Sequence, residues 1–330
     1  MITRRNAFAA ALASTAVATL ATIAITPAHA QSWPTRPVTL VIPFPPGGGT
    51  DTGGRILAEQ LGKRWGQPVL VDNRGGAAGQ IGADLVAKAK PDGYTLLLGN
   101  IGTQSINPTL YPRMPYDPDT AFAPISLVAE LPLAMMVHPA VPAKTAAEFI
   151  ALAKAKPGQL SYSSAGAGGA PHLAGEMFKD RSGTFILHVP YRGGGPALAD
   201  LLAGHVQLSF LTVLEASGNI KSGKLRALAV TSDKRVTALP DVPTLAESGL
   251  PGFNAISWLG LLAPAGVPKD LVDRISADVR SILADEAVKA RFVSLGGVPR
   301  ATTPAELGQL IAQDRKRYAQ IIRDRKITTE

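Results

Sequence analysis

The chain has no cysteine among its 330 residues. That removes thiolate nucleophiles, zinc–thiolate sites and iron–sulfur clusters. An oxidising compartment permits disulfides without requiring them, and a chain of this length has core enough to do without. Aromatic residues are scarce at 5%, so no stacking platform accompanies a formal net charge of +8, 33 basic against 25 acidic residues. Nucleic-acid binding wants a basic stripe with aromatic or base-reading motifs. Here the densest basic run, Arg315 to Arg317 with Arg323 to Lys326, is interleaved with Asp314 and Asp324. It reads as a solvated helix face that mildly favours anionic ligands, and no nucleic-acid partner is expected.

Catalytic and nucleotide motifs are missing too. No Gly-x-Ser-x-Gly elbow occurs. The loop after the first apolar run lacks the Lys-Ser/Thr ending of a P-loop, and none of the glycine-rich loops carries the third glycine of a dinucleotide fingerprint. His138, His172, His188 and His205 are dispersed, with no helical pair suited to a metal. No carboxylate pair stands out as glycosidase-like. The expectation is a protein without cofactor or metal, and not an enzyme.

Long hydrophobic runs are confined to the N-terminus. Arg4 and Arg5 precede an uncharged, alanine-rich stretch from Phe8 to Ile25, and Ala28-His29-Ala30 supplies a small-x-small cleavage pattern before Gln31. A membrane anchor is the competing reading, but the run is marginal in length and meets Pro27 and the cleavage pattern. We expect a signal peptide, residues 1–30, cleaved after Ala30, and a periplasmic location. The Arg4-Arg5 pair hints at twin-arginine export, yet Phe8 sits one place late for it, which favours general secretion. Losing both arginines leaves +6 on the mature chain, 31 basic against 25 acidic residues.

The remaining 300 or so residues are about two domains' worth. Val38 to Ile42 reads as a buried strand, short, mostly β-branched and apolar but for Thr39. A loop from Pro43 to Asp51 follows, then helical spacing of Ile56, Leu57, Leu61 and Trp65 from Gly53 on. The cycle repeats. Strands are predicted at Val69 to Val71, Tyr94 to Leu98, Ser161 to Ser164, Ile186 to Val189, Gln207 to Leu211 and Leu225 to Thr231. Helices are predicted at Ile81 to Ala89, from His172 and from Pro196. Alternation of this kind implies α/β architecture with mostly parallel sheet, flanked by helices. After Gly260 only long amphipathic helices are predicted, Pro268 to Leu283 and Pro304 to Arg325. The economical arrangement is two lobes with this tail returning to the first, and crossings near Leu127 to Pro132 and Phe253 to Trp258.

In open α/β sheets, ligands bind beyond the carboxyl ends of strands, where loops and helix N-termini converge. Three such loops are rich in glycine: Pro45 to Asp51, Ala165 to Pro171, and Tyr191 to Pro196. Each has two readings. The glycines either make tight turns or let consecutive amides approach an anion, aided by the helix end. Thr50 or Asp51 suits a helix N-cap, and Pro196 suits a first helical turn. His172 either donates to a ligand or packs at its helix start.

The ordered set of motifs resembles the tripartite tricarboxylate transporter receptors, the Bug-type periplasmic solute-binding proteins. It begins with Val41-Ile42-Pro43-Phe44-Pro45-Pro46-Gly47-Gly48-Gly49-Thr50-Asp51 and Val71-Asp72-Asn73-Arg74-Gly75-Gly76. It continues through Pro91-Asp92-Gly93-Tyr94, Ser163-Ser164-Ala165-Gly166, His172-Leu173-Ala174-Gly175-Glu176 and Val189-Pro190-Tyr191-Arg192-Gly193. Gly223-Lys224-Leu225-Arg226-Ala227-Leu228, Leu239-Pro240-Asp241-Val242-Pro243 and Trp258-Leu259-Gly260 complete it.

The resemblance implies a type II periplasmic binding fold, two α/β lobes joined by two crossing segments. Lobe 1 would comprise residues 31–130 and 254–330, and lobe 2 residues 131–253. It implies capture of a small organic carboxylate for uptake or sensing, read by a tripartite transporter membrane subunit or by a sensor ectodomain, with the receptor a monomer. Carried over by position, the ligand would be held by Phe44, Pro45, Gly47, Gly48, Gly49, Thr50 and Asp51. Facing them would be Ser163, Ser164, Ala165, Gly166, Gly168, Gly169 and His172, with Tyr191, Arg192, Gly193 and Gly194. Arg192 is the side-chain candidate for a second ligand charge, or simply a surface residue.

Three positions depart from the family. Gly169 and Gly194 stand where relatives often carry serine, and Leu211 where many carry aspartate. The second lobe is therefore expected to be poorer in hydroxyls and carboxylate, favouring a less polar distal ligand end without an ammonium group. The alternative function is an exported hydrolase or transferase on a similar scaffold, with Ser163 or Ser164 as nucleophile and His172 as base.

Overall fold

The structure, a computed structural model, describes residues 33–329. The expected signal peptide lies outside them. Among the described residues, no helix is long and apolar enough to cross a membrane.

Two sheets organise the chain from Arg36 on. The first has six strands in the order β11-β4-β10-β3-β1-β2, and the second has five in the order β7-β6-β8-β5-β9. In the first sheet, β1 (Val38–Ile42), β2 (Val69–Asn73) and β3 (Thr95–Asn100) pair in parallel, with Leu40 opposite both Val71 and Leu96. Leu40, Val41, Ile42 and Leu96 to Leu98 are fully buried. That explains why these strands read as continuous apolar runs rather than as alternating ones. In the second sheet, β6 (Ser161–Ser164) pairs in parallel with β7 (Leu187–Pro190) and with the two-residue β8 (Leu208–Ser209).

Parallel pairing holds only where strand and helix alternate. β4 (Phe122–Pro132) and β10 (Ile256–Pro264) pair antiparallel with each other, and β10 pairs antiparallel with β3. In the second sheet β5 (Ala134–Val137) lies antiparallel to both β8 and β9 (Arg226–Val230). Both sheets are therefore mixed, because strands that pass between sheets cannot return in the direction of the βα units. β4 and β10 are also the long strands that pattern reading did not assign. Pro124, Pro132 and Pro264 within them speak against central strands.

β4 runs on into β5 with only Leu133 between them, so one extended segment serves both sheets. The return passage lies between β9 and β10. Thr231 ties the two passages together. Its amide donates to the Leu133 carbonyl at 3.0 Å, its hydroxyl accepts from the Leu133 amide at 3.2 Å, and its carbonyl accepts from the Ala255 amide at 3.0 Å. The hydroxyl also donates to the Ala255 carbonyl. Thr231 is fully buried.

The C-terminal helix, Pro304–Asp324, packs on the first sheet. A capping box between Thr303 and Glu306 starts it. Leu307, Ile311, Tyr318 and Ile322 are its buried face. Thr302 exchanges hydrogen bonds with Ser126 and Leu127 of β4, and Trp258 of β10 donates to Asp314 at 2.8 Å. Between the expected tail helices the chain adds a further helix, Glu286–Ser294, and the two-residue strand β11 (Val298–Pro299) on the edge of the sheet.

Candidate functional site

Four helices aim their N-termini at one cavity between the sheets. They are Gly49–Trp65 from the first sheet and, from the second, Ala170–Ser182, Gly194–Leu202 and Val213–Lys221. The cavity is lined at those four ends by Gly48, Gly49 and Thr50, by Gly169, Ala170 and Pro171, by Gly194, and by Thr212 and Glu215. The first-turn amides of a helix have no partner within it, and the helix dipole adds partial positive charge there. Among the described residues, no lysine, arginine or histidine lines the cavity. Its positive potential is backbone in origin.

The glycines have distinct reasons to be there. A Cβ on Gly49 would lie 2.4 Å from the Thr212 hydroxyl, and one on Gly194 would lie 2.2 Å from a Glu215 carboxylate oxygen. Gly193 has φ +139, and a Cβ on it would strike Pro45 at 2.7 Å. Loops from the two sheets thus touch across the cavity, and Tyr111 adds a hydrogen bond to the Ala167 carbonyl at 3.0 Å.

Phe44 lines the cavity and also a larger, more open chamber beside it. Pro45, Asn73, Gly75 to Gly79, Tyr111, Tyr191 and Arg192 line that outer chamber. Gly47 lines neither. It has φ +88, and its amide donates to Asp51 at 3.0 Å. Asp51, 4% exposed, is a structural anchor and lines neither chamber. Burial acts to raise its pKa, but hydrogen bonds from Arg55, Gly47 and Asn73 outweigh it and hold the carboxyl below its ordinary value. Asn73 also donates to the Phe44 carbonyl at 2.9 Å, so this cluster fixes the loop that carries Gly48 and Gly49.

On the facing side Ala165, Gly166, Gly168 and Gly169 line the cavity, whereas Ser163 and Ser164 do not and are fully buried. The Ser163 hydroxyl donates to Ala197 at 3.4 Å, and the Ser164 hydroxyl lies 2.6 Å from His188 Nε2. His172 accepts from the Gly168 amide at 3.2 Å and stacks on His188 at 4.1 Å, which stacks in turn on Tyr162 at 4.8 Å. Burial first, then Lys179, lowers His172 to about 4 against the pull of Glu176. Burial, His172 and Lys179 lower His188 to about 3. A serine nucleophile with His172 as its base is therefore corrected. Ser164 pairs with His188, both serines lie under the cavity wall, and the neutral ring stack braces the Gly166–Gly169 loop.

Tyr191 donates to Asp200, and Arg192 is exposed at the outer chamber. Gly193 is the N-cap of its helix and does not line the cavity, while Gly194 does. Leu211 is fully buried in an apolar cluster with Ala134, Met136 and Val213, so it faces no ligand. The second half nevertheless brings a carboxylate to the cavity, that of Glu215.

Several lining residues were not foreseen. Ala78 lies in the left-handed region with Ala77, at φ 53 and 46, and Asn107 holds its carbonyl at 2.9 Å. Such backbone in a non-glycine residue is a marker of functional sites. Asn100 ends β3 and Gly102 follows it, and Leu131 and Ser257 come from the crossing strands. Glu215 and Thr212 form a capping box. That Thr-x-x-Glu spacing after a predicted strand was a readable signal.

Glu215 Oε2 accepts from the Gly49 amide at 2.7 Å, and Oε1 accepts from the Thr212 amide at 2.8 Å. The first of these bonds joins the two sheets' helices directly. Burial pushes the carboxyl up to about 7, against the lowering effect of Thr212 and Gly49. No charged neighbour contributes to that shift.

A family model described as tripartite tricarboxylate transporter family receptor matches residues 54–327. Protein BugT of Bordetella pertussis is 38% identical over 299 residues, covering 90% of this chain and 92% of that protein. Among solved structures, an R. palustris protein with adipate superposes with a TM-score of 0.88 at 35% identity, covering 90% of this chain and 99% of that one. The periplasmic binding protein BugD gives 0.86 at 38% identity, with coverage of 90% and 99%. A Rhodopseudomonas palustris protein, MatC with bound malate, gives 0.83 at 33% identity, with coverage of 88% and 100%. The fold is accordingly that of periplasmic binding proteins, and the chain belongs to the tripartite tricarboxylate transporter receptor family, as a solute-binding receptor.

Proposed function

We propose that this receptor works in the periplasm, exported by a signal peptide of residues 1–30, and closes two lobes on a small organic carboxylate for uptake or sensing. Lobe 1 is residues 31–130 with 254–330, and lobe 2 is residues 131–253. The strand assignments favour moving the first boundary slightly, since β4 stays in the first sheet through Pro132 and β5 enters the second at Ala134.

The observation that carries the reading is the convergence of four helix N-termini on a cavity without a cationic side chain. Amides at helix ends suit a carboxylate, and several together supply what one alone does not, about 0.3–1 kcal/mol per exposed end. Adipate in one relative and malate in another fit the same ligand class. Within the expected set, the proposed binding groups are Gly48, Gly49, Thr50, Gly169 and Gly194, with Phe44, Ala165, Gly166 and Gly168 as walls. To these we add Ala170, Asn100, Thr212 and Ser257. Pro45, Tyr191 and Arg192 belong to the entrance. A tripartite transporter membrane subunit, or a sensor ectodomain, would read the closed state.

The test is a thermal-shift screen of organic acids on protein unfolded and refolded to strip carried ligand. At least one acid should raise Tm, since a ligand at 100 times its Kd stabilises by about 2.7 kcal/mol. A blank screen across mono-, di- and tricarboxylates refutes the proposal.

A further inference from the structure

The same site carries a statement about ligand class, which rests on the carboxylate reading above. The Glu215 carboxylate already sits where an anion would sit. Its oxygens take the Gly49 and Thr212 amides, and Gly194 packs against it so closely that any Cβ there would collide. The protein's own carboxylate thus occupies one amide of the Gly49–Trp65 helix end and one at its own helix end, and it abuts Gly194. The helix end at Gly169 and Ala170 shares the cavity with Thr50 and Asn100 and, among the described residues, donates no hydrogen bond to Glu215.

Charge around Glu215 is sparse on every side. The Gly49–Trp65 helix contributes Asp51 and Arg55, which are engaged with each other, Gly47 and Asn73 and do not line the cavity. The Gly194–Leu202 helix contributes only Gly194, the crossing strands only Leu131 and Ser257, and the end of β3 only Asn100 and Gly102. Among the described residues Glu215 is the one titratable group lining the cavity, and nothing cationic among them offsets a second ligand charge there. Like charges sharing a poorly solvated site repel strongly.

We infer that Glu215 stands in for one ligand carboxylate, so that this receptor selects acids with a single carboxylate and discriminates against dicarboxylates such as the adipate and malate bound by its relatives. The ligand's one carboxylate goes to the Ala170 and Thr50 end, and its other end meets Phe44, Leu131 and Glu215. Glu215 is a specificity-determining residue, and its raised pKa makes the discrimination depend on pH. When ionised it repels a second carboxylate, and when protonated it offers a donor.

Isothermal titration of refolded protein with matched pairs tests this: hexanoate against adipate, and butyrate against succinate. At pH 8 the monoacid of the better-bound pair should bind at least ten-fold tighter. Glu215→Gln should shrink that ratio to three-fold or less, and in the wild type the ratio should fall between pH 8 and 6.5. The wild-type pH series keeps the test alive if the variant fails to fold. A diacid bound as tightly as its monoacid, or a ratio indifferent to both the variant and pH, overturns the inference while leaving carboxylate binding intact. Failure of every acid in the wider screen would instead remove the carboxylate reading itself.

Discussion

Gly49→Ala should separate closure from folding. Gly49 opens its helix with ordinary helical backbone, so alanine adds no strain to an open protein, and it improves helix propensity by up to about 1 kcal/mol. In the closed form the new Cβ falls 2.4 Å from the Thr212 hydroxyl and 3.2 Å from its methyl. Thr212 has little freedom to yield, because its hydroxyl caps Glu215 and its amide donates to the same side chain. Ordinary contact begins at 3.4 Å, which requires moving the helices apart by about 1 Å. That shift stretches the 2.7 Å bond from the Gly49 amide to Glu215 beyond hydrogen-bonding range. A hydrogen bond to a charged group contributes about 1.5–3 kcal/mol, a loss of about 10- to 150-fold in affinity. Calorimetry with the tightest acid from the screen should show that loss. Urea unfolding without ligand should match or exceed the wild type, and small-angle scattering at saturating acid should show a less compact particle. Affinity within two-fold of wild type, with unchanged compaction, would refute the reasoning.

Other expectations follow from the same contacts. Thr231→Val keeps shape but strips the hydroxyl that serves Leu133 and Ala255, and should cost about 1–3 kcal/mol in urea unfolding by stranding buried polar groups; a loss under 0.5 kcal/mol, on the order of a surface change, would argue against the tie. His172 and His188 are depressed to about 4 and 3, so the unfolded chain takes up protons first. Their contribution is complete above about pH 6.5 and is lost as pH falls toward 4. NMR should find both rings neutral at pH 6, and titration of either His172 or His188 near 6.5 in the folded protein contradicts that. Glu215 has the opposite sign. Raised to about 7, it contributes fully below about pH 4.5 and is lost as pH rises through 7. The stability of Glu215→Gln relative to wild type should therefore grow between pH 5 and 8, by up to about 3 kcal/mol, and a pH-independent difference would show the carboxyl to be unperturbed.

What the sequence disclosed depended on how local the cause was. β1 and the amphipathic C-terminal helix were legible because burial on both faces, or on one helical stripe, leaves a direct mark on residue order. Helical spacing marks the Gly49–Trp65 helix only from Gly53, since Gly49 to Thr52 continue a glycine-rich loop and carry no apolar residue, and only the packing of Gly49 against Thr212 shows why glycine stands at the helix start. The same logic separated the site residues. Gly48, Gly49 and Gly169 follow strands and were found from the strand–loop–helix rule. Leu131 and Ser257 fall in the expected crossing segments, but their place in the cavity wall follows only from two sheets meeting there. Ser164 and His172 showed the reverse error. Their place in a glycine-rich loop suggested ligand contact, but the ring stack of His172, His188 and Tyr162 turns that chemistry inward.

Leu133 and Ala255 both lean on Thr231, which binds the outgoing and returning passages between the sheets into one joint. Two independent straps would let the halves twist as well as flex. If the halves close as proposed, coupled straps would favour a door-like swing about a single axis, making the angle between the halves the main coordinate along which occupancy is expressed. A partner docking across both rims would then need to sense no more than whether the door is shut, whatever acid shut it. One readout surface could stay unchanged while the cavity wall, at positions such as Glu215, drifts toward new ligands.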